Sequence, residues 1–145
     1  MKLIHHTTAS ALIAGILFII SKSWGLAIAS FIGGVLIDMD HVLDYLYVHG
    51  CNIRINEFFD YFHEEKHVKS YLIFHSWECV IIFPIVAILT KWNPWVTGFL
   101  IGYYHHMILD IICNAPSFSG LSFFWRYKLG FYSEVIYPKD RKKRC

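Results

Sequence analysis

Asp38, Asp40 and His41 stand within four residues in "GVLIDMDHVLDY" (34–45), directly after a charge-free run over residues 26–37. Two carboxylates and an imidazole at the end of an apolar stretch are the donor types that zinc and manganese take. A second set lies in "GFLIGYYHHMILD" (98–110), where Gly98, Gly102, His106 and Asp110 recur every four residues. On a helix that spacing forms one stripe. The glycines let a neighbouring helix approach closely, and His106 and Asp110 then point into the same contact. Ser30, Gly34, Asp38 and His41 repeat the design. Such carboxylates could instead be polar residues reaching toward headgroups. At a bilayer centre each would cost about 2.5–3.5 kcal/mol, which favours ligation for Asp40, His41, His106 and Asp110, with Asp38 beside them.

"FHSWE" (74–78) adds His75 and, one turn on, Glu78. His75 is a further candidate ligand. Glu78 could orient it or act as a general base, and Asp38 is a second catalytic candidate. At the N-terminus, "HHTTAS" offers His5 or His6 to the same face. "HEEKH" (63–67) has the form H-E-x-x-H, in which two histidines a turn apart bind zinc beside a general-base Glu. Its charged flanks argue against a protease built on His63, Glu64 and His67, although either histidine could join the main site.

The elements that must position these residues are membrane segments. Of the 145 residues 56% are hydrophobic and 18% aromatic, and the mean hydropathy is +0.44, too apolar for an ordinary soluble domain. Residues 71–89 and 95–112 are long enough to approach the ~20 residues a helical span needs. Between them "TKWNPW" reads as a turn with interfacial tryptophans. Residues 8–20 and 26–37 are shorter and read as a tilted or partly embedded hairpin. Residues 42–70 read as a polar loop with some helix. The opening "MKLIHHTTASALIAGILFII" reads as a retained segment rather than a signal peptide, for want of a cleavage site. The four cysteines have no CxxC spacing and read as reduced thiols.

With both termini cytoplasmic, 11 of the 13 Lys and Arg lie inside and only Lys22 and Lys91 outside. The formal charge of +2 decides nothing by itself; its placement does. The expected architecture is therefore an all-α integral membrane bundle of about four helices. His5, His6, Asp38, Asp40, His41, His75, His106 and Asp110 then share one depth at the inner face, His75 about 7 Å into the third segment. The basic tail "KDRKKRC" suits anionic lipid, and no nucleic-acid partner is expected.

These residues resemble the YdjM-like group, described as LexA-regulated, metal-dependent hydrolases of the bacterial inner membrane. The resemblance is carried by a histidine before the first segment (His5 or His6), "DMDH" at 38–41, His75–Ser76, Gly102, His106 and Asp110, and the aromatic "FFWRYKLGF" that follows. It covers most of residues 1–131, leaving 132–145 as a basic tail. A His-Arg pair that many relatives carry before the third-segment histidine is missing from "SYLIFHS". The resemblance implies a membrane-bound hydrolase of the bacterial inner membrane.

The resulting expectation is a His/Asp site, binuclear, holding zinc or manganese. Its ligands are Asp38, Asp40, His41, His75, His106, Asp110 and His6, with Glu78 and Asp38 as catalytic candidates. A phospholipid or other phosphoester is the expected substrate. The rival is a non-catalytic metal-binding membrane protein, whether structural, sensor or transporter. A transporter needs polar groups continuing toward the outer face, and the third and fourth segments carry almost none beyond His75 and His105.

Overall fold

The computed structural model describes residues 3–50 and 69–138. Among the described residues the regular structure is helical, with one isolated antiparallel bridge between Lys69 and Tyr132. Helix α1 runs Leu3–Ser21. Lys22 turns the chain in a left-handed conformation (φ 54), and Ser23 caps α2 (Trp24–Leu36), accepting from the Leu26 N–H at 3.3 Å. The helix breaks at Ile37–Asp38 and resumes as α3 (Met39–His49), which Gly50 ends at φ 69. Helix α4 runs Trp77–Leu89 and α5 Pro94–Asn114. Asn93 caps α5 by accepting from the Trp95 N–H, with Pro94 in the first turn, where its missing N–H costs nothing. A 3-10 turn (Ser119–Leu121) and two short helices, α6 (Phe123–Lys128) and α7 (Ser133–Ile136), complete the described chain.

The seam that sets the site is α2 against α5. A Cβ on Gly98 would strike the Leu26 carbonyl, one on Gly102 the Ser30 carbonyl, and one on Gly33 the Phe99 carbonyl. The backbones therefore touch, as the small-residue stripe requires. Ile37, Tyr103 and Met107 form the buried cluster beneath. Helix α4 packs on α5 with a local repair. Pro84 lacks the N–H that would bond the Val80 carbonyl, and the Tyr104 hydroxyl donates to that carbonyl at 2.9 Å.

Among the described residues, three stretches are long and apolar enough to cross a membrane: residues 4–21, 24–47 and 94–114. The two expected to be short, 8–20 and 26–37, thus belong to long spans. The first gains a turn before Thr8, and the second continues through α3, which the reading of residues 42–70 as a polar loop undervalued. The third expected span is the shorter one. Residues 71–76 are not helical, and α4 has 13 residues, about 20 Å of rise against a ~30 Å hydrocarbon core. His75 therefore precedes the helix rather than lying inside it. Cys79 is a free thiol, as expected, whereas Cys113 is disulfide-bonded, which corrects the all-reduced reading. "HEEKH" at 63–67, Lys2 and the basic tail from 139 lie outside the described residues.

Candidate metal centre

Four side chains from three segments of the bundle converge. Asp38 comes from the break between α2 and α3, His75 from the segment before α4, and His106 and Asp110 from successive turns of α5. One donor atom from each lies within 4.8 Å of the other three. His75 Nε2 is 3.1 Å from His106 Nε2, 3.8 Å from Asp38 Oδ1 and 3.4 Å from Asp110 Oδ2. His106 Nε2 is 3.4 Å from Asp38 Oδ1 and 3.7 Å from Asp110 Oδ2.

The outer contacts of these ligands decide what the cluster wants. His106 Nδ1 faces the Gly34 carbonyl at 2.8 Å, and His75 Nδ1 faces Asp40 Oδ2 at 3.1 Å. Both Nδ1 atoms meet acceptors, so both carry the proton, and each Nε2 of a neutral ring turns a lone pair inward. With both rings neutral, two lone pairs and two carboxylate oxygens face one another with no donor among them. A divalent cation resolves that repulsion, and two carboxylates neutralise its charge. Zinc bonds of about 2.0–2.1 Å in tetrahedral geometry place ligand atoms about 3.3–3.4 Å apart, in the middle of the five separations. The residues present fit a metal ion, and the donor set fits one ion.

Asp38, His75, His106 and Asp110 of the seven expected ligands form this set; Asp40, His41 and His6 do not. Asp40 is a correction. Its Oδ2 accepts from the Phe74 N–H at 2.6 Å, the His75 N–H at 3.3 Å and the His75 ring, while Oδ1 is buried without a hydrogen-bond partner among the described residues. It fixes the His75 ring and tautomer from behind, the carboxylate–histidine arrangement that raises a ligand's basicity. His6 does the same for Asp110: its Nε2 meets Oδ1 at 3.1 Å, Asn114 Nδ2 donates to that oxygen at 2.7 Å, and Oδ2 is left for the centre. His6 also stacks on the His106 ring at 4.0 Å. This decides between the N-terminal pair, since His5 is exposed and His6 buried. His41 stands at the rim, its Nε2 3.8 Å from Asp38 Oδ1. His105 turns to Ser10 on α1, its Nε2 3.0 Å from the hydroxyl, and serves packing.

Glu78 does not face the cluster through any of its hydrogen bonds. It accepts from the Ser122 hydroxyl at 2.8 Å and from the Phe123 and Phe124 N–H groups at 2.9 and 3.3 Å. It caps α6, so the expected general base is a structural carboxylate. Access comes from another side. The side chains of His106, His75 and Asp110 are 0%, 4% and 9% exposed, against 20% for Asp38 and 23% for His41. The site opens at Asp38 and His41.

Two residues that the motifs did not point to hold the segment bearing His75. Asp44, one turn after Asp40 on α3, accepts from the Ser70 hydroxyl and the Tyr71 N–H at 3.0 Å each. Arg126 on α6 donates to carbonyls of the same segment. Burial draws the Arg126 pKa below the ordinary guanidinium value, while the Glu78 carboxylate pushes it up; the group remains charged. The Asp40–Asp44 spacing of one helical turn was visible in "DHVLD", whereas nothing near Arg126 in the sequence announced its partners.

Comparison with protein-family models, with curated proteins and with solved structures returns no match for this chain. The functional reading rests on the site itself.

Proposed function

We propose that this chain is a membrane-bound, metal-dependent hydrolase that holds one divalent ion, zinc or manganese, through Asp38, His75, His106 and Asp110. The observation that carries the reading is the convergence of two imidazole nitrogens and two carboxylate oxygens within 4.8 Å, with both ring Nδ1 atoms held from behind by acceptors. A bound ion of this class lowers the pKa of a coordinated water and polarises a scissile ester or phosphoester. The residues around it prepare that chemistry: Asp40 and the Gly34 carbonyl fix the two rings, His6 and Asn114 fix Asp110, and the rim at Asp38 and His41 admits substrate. A structural zinc fills its four positions with protein ligands, whereas a catalytic one keeps a position for water; for the four residues here to serve a hydrolase, the ion would take that water as a fifth ligand on the Asp38–His41 edge, where the set is most exposed.

The substrate class proposed is a phospholipid or other amphiphilic phosphoester, because the site lies toward the ends of α1, through His6, and of α5, through His106 and Asp110, two helices apolar enough to cross a membrane. We assign those ends to the cytoplasmic side of a bacterial inner membrane on the distribution of Lys and Arg. The Cys113 disulfide, three residues beyond Asp110, suits an oxidising compartment, whereas the bias of 11 of the 13 Lys and Arg supports the cytoplasmic assignment. The motifs at residues 5–6, 38–41, 75–76 and 102–110 support kinship with the YdjM-like hydrolases. The test is hydrolysis of a panel of phospholipids, phosphomonoesters, phosphodiesters and carboxylic esters by metal-loaded protein in detergent. Cleavage that depends on added zinc or manganese supports the proposal, and no cleavage across the panel by protein shown to hold metal removes the hydrolase.

A further inference from the structure

His75 is the one ligand that lies outside the three membrane-long stretches. It sits in residues 70–76, where Leu72 adopts a left-handed conformation (φ 40) although it is a buried, branched residue with no glycine-like freedom. Such a conformation persists only where the surroundings impose it. The polar groups of this segment are claimed by charged side chains from two directions. On the α3 side, Asp44 takes the Ser70 hydroxyl and Tyr71 N–H, and Asp40 takes the Phe74 and His75 N–H groups. On the α6 side, Arg126 donates through Nη1 to the Tyr71 carbonyl and through Nη2 to those of Leu72 at 3.0 Å and His75 at 3.5 Å. Its Nε reaches the Ser122 carbonyl at 3.4 Å.

Arg126 is wholly buried, and among the described residues its hydrogen bonds go to carbonyl oxygens alone. Burying a guanidinium costs several kcal/mol unless its donors are satisfied, so the fork and the loop carbonyls specify one another. Lysine, a point charge on a flexible stem, cannot span three carbonyls. Glu78 sets the helix from which Arg126 reaches, by capping α6 at Ser122, Phe123 and Phe124.

We infer that Arg126 is a positioning residue of the metal centre, a clamp that holds the 71–75 backbone in the conformation presenting His75 to the ion. It acts through His75, and it rests on the reading of the cluster as a metal site. Helix α6 is thereby part of the site although it contributes no ligand. Glu78 acts one step further out, through Arg126.

The test titrates cobalt(II) alone into full-length protein in detergent, comparing wild type, Arg126→Lys, Glu78→Gln and the exposed neighbour Tyr127→Ala, and records the visible spectrum of the bound cobalt. Arg126→Lys, with helix content and thermal unfolding near wild type, is expected to bind about 10–100-fold more weakly, the usual cost of losing an outer partner of a ligand, and to show shifted cobalt bands. Tyr127→Ala is expected to match wild type. A folded Arg126→Lys with wild-type affinity and spectrum overturns the clamp while leaving the metal site standing. Should Arg126→Lys fail to fold, Glu78→Gln decides: weakened binding with shifted bands supports the clamp, and unchanged binding overturns it. A wild type that takes up no cobalt removes the metal site and the clamp together.

Discussion

His75 and His106 bring their Nε2 atoms to 3.1 Å of each other while both Nδ1 atoms are engaged by acceptors, Asp40 and the Gly34 carbonyl. Neither inward nitrogen of a neutral pair has a proton to offer the other. The pair is arranged for something positive between them, with Asp38 and Asp110 supplying the compensating charge.

The outer position of Asp40 separates it from the ligands in a measurable way. Asp40→Asn keeps an acceptor for the loop N–H groups but weakens the hold on His75, so metal affinity is expected to fall about 10–100-fold without vanishing. Asp110→Ala is expected to abolish binding. Isothermal titration with zinc on both variants checks the ranking, and equal loss in both would make Asp40 a ligand.

Helix contact across the glycine seam is a second point of test. A Cβ at Gly102 meets the Ser30 carbonyl and the Gly34 nitrogen, backbone atoms that cannot turn aside. Gly102→Ala is expected to destabilise the bundle by about 1–3 kcal/mol and to weaken metal binding with it, because Asp38 rides on one side of the seam and His106 on the other. Gly15→Ala is the control: nothing lies within 4 Å of its added Cβ. Thermal unfolding in detergent reads both.

The Tyr104 hydroxyl and Pro84 form a pair whose energies should not add. Tyr104→Phe leaves the Val80 carbonyl unsatisfied, at about 1–3 kcal/mol. In a Pro84→Ala background the restored N–H serves that carbonyl, and Tyr104→Phe is expected to be nearly neutral. A double-mutant cycle on unfolding free energy measures the difference; identical costs in both backgrounds would show that the hydroxyl does not stand in for the missing N–H.

Orientation has a direct readout. With the site end in the cytoplasm, a fluorescent-protein fusion after residue 145 is expected to be bright and an alkaline-phosphatase fusion at the same place inactive. The opposite pair of results would put the centre in the oxidising compartment that the Cys113 disulfide suits.

Much of the site was legible because ligand spacing and helix packing share a period. Gly98, Gly102, His106 and Asp110 lie on one stripe, and the stripe that packs backbone on backbone also delivers His106 and Asp110 to the facing helix. Asp38 against Asp40 was not legible. Both follow the same apolar run, and only the break at Ile37–Asp38 decides that the first faces the centre and the second the loop. Residues 71–76 read as helix because the run has no Gly or Pro, and the sole stop signal was Ser76, which caps α4. Their conformation is dictated by Asp40, Asp44 and Arg126, 27 to 55 residues away in the chain. Long-range charge pairing of that kind leaves no local pattern to read. Glu78 was misjudged for the same reason: its partners lie 44 to 46 residues further on.

The central claim is that Asp38, His75, His106 and Asp110 hold a divalent ion. Metal content by mass spectrometry on detergent-purified wild type, beside Asp38→Ala and Asp110→Ala, tests it most directly. The account predicts about one zinc or manganese per chain, absent from both variants while their helix content is unchanged. Wild type that carries no metal, even after reconstitution with either ion, would contradict it and leave the four residues as a charged network joining three segments of the bundle.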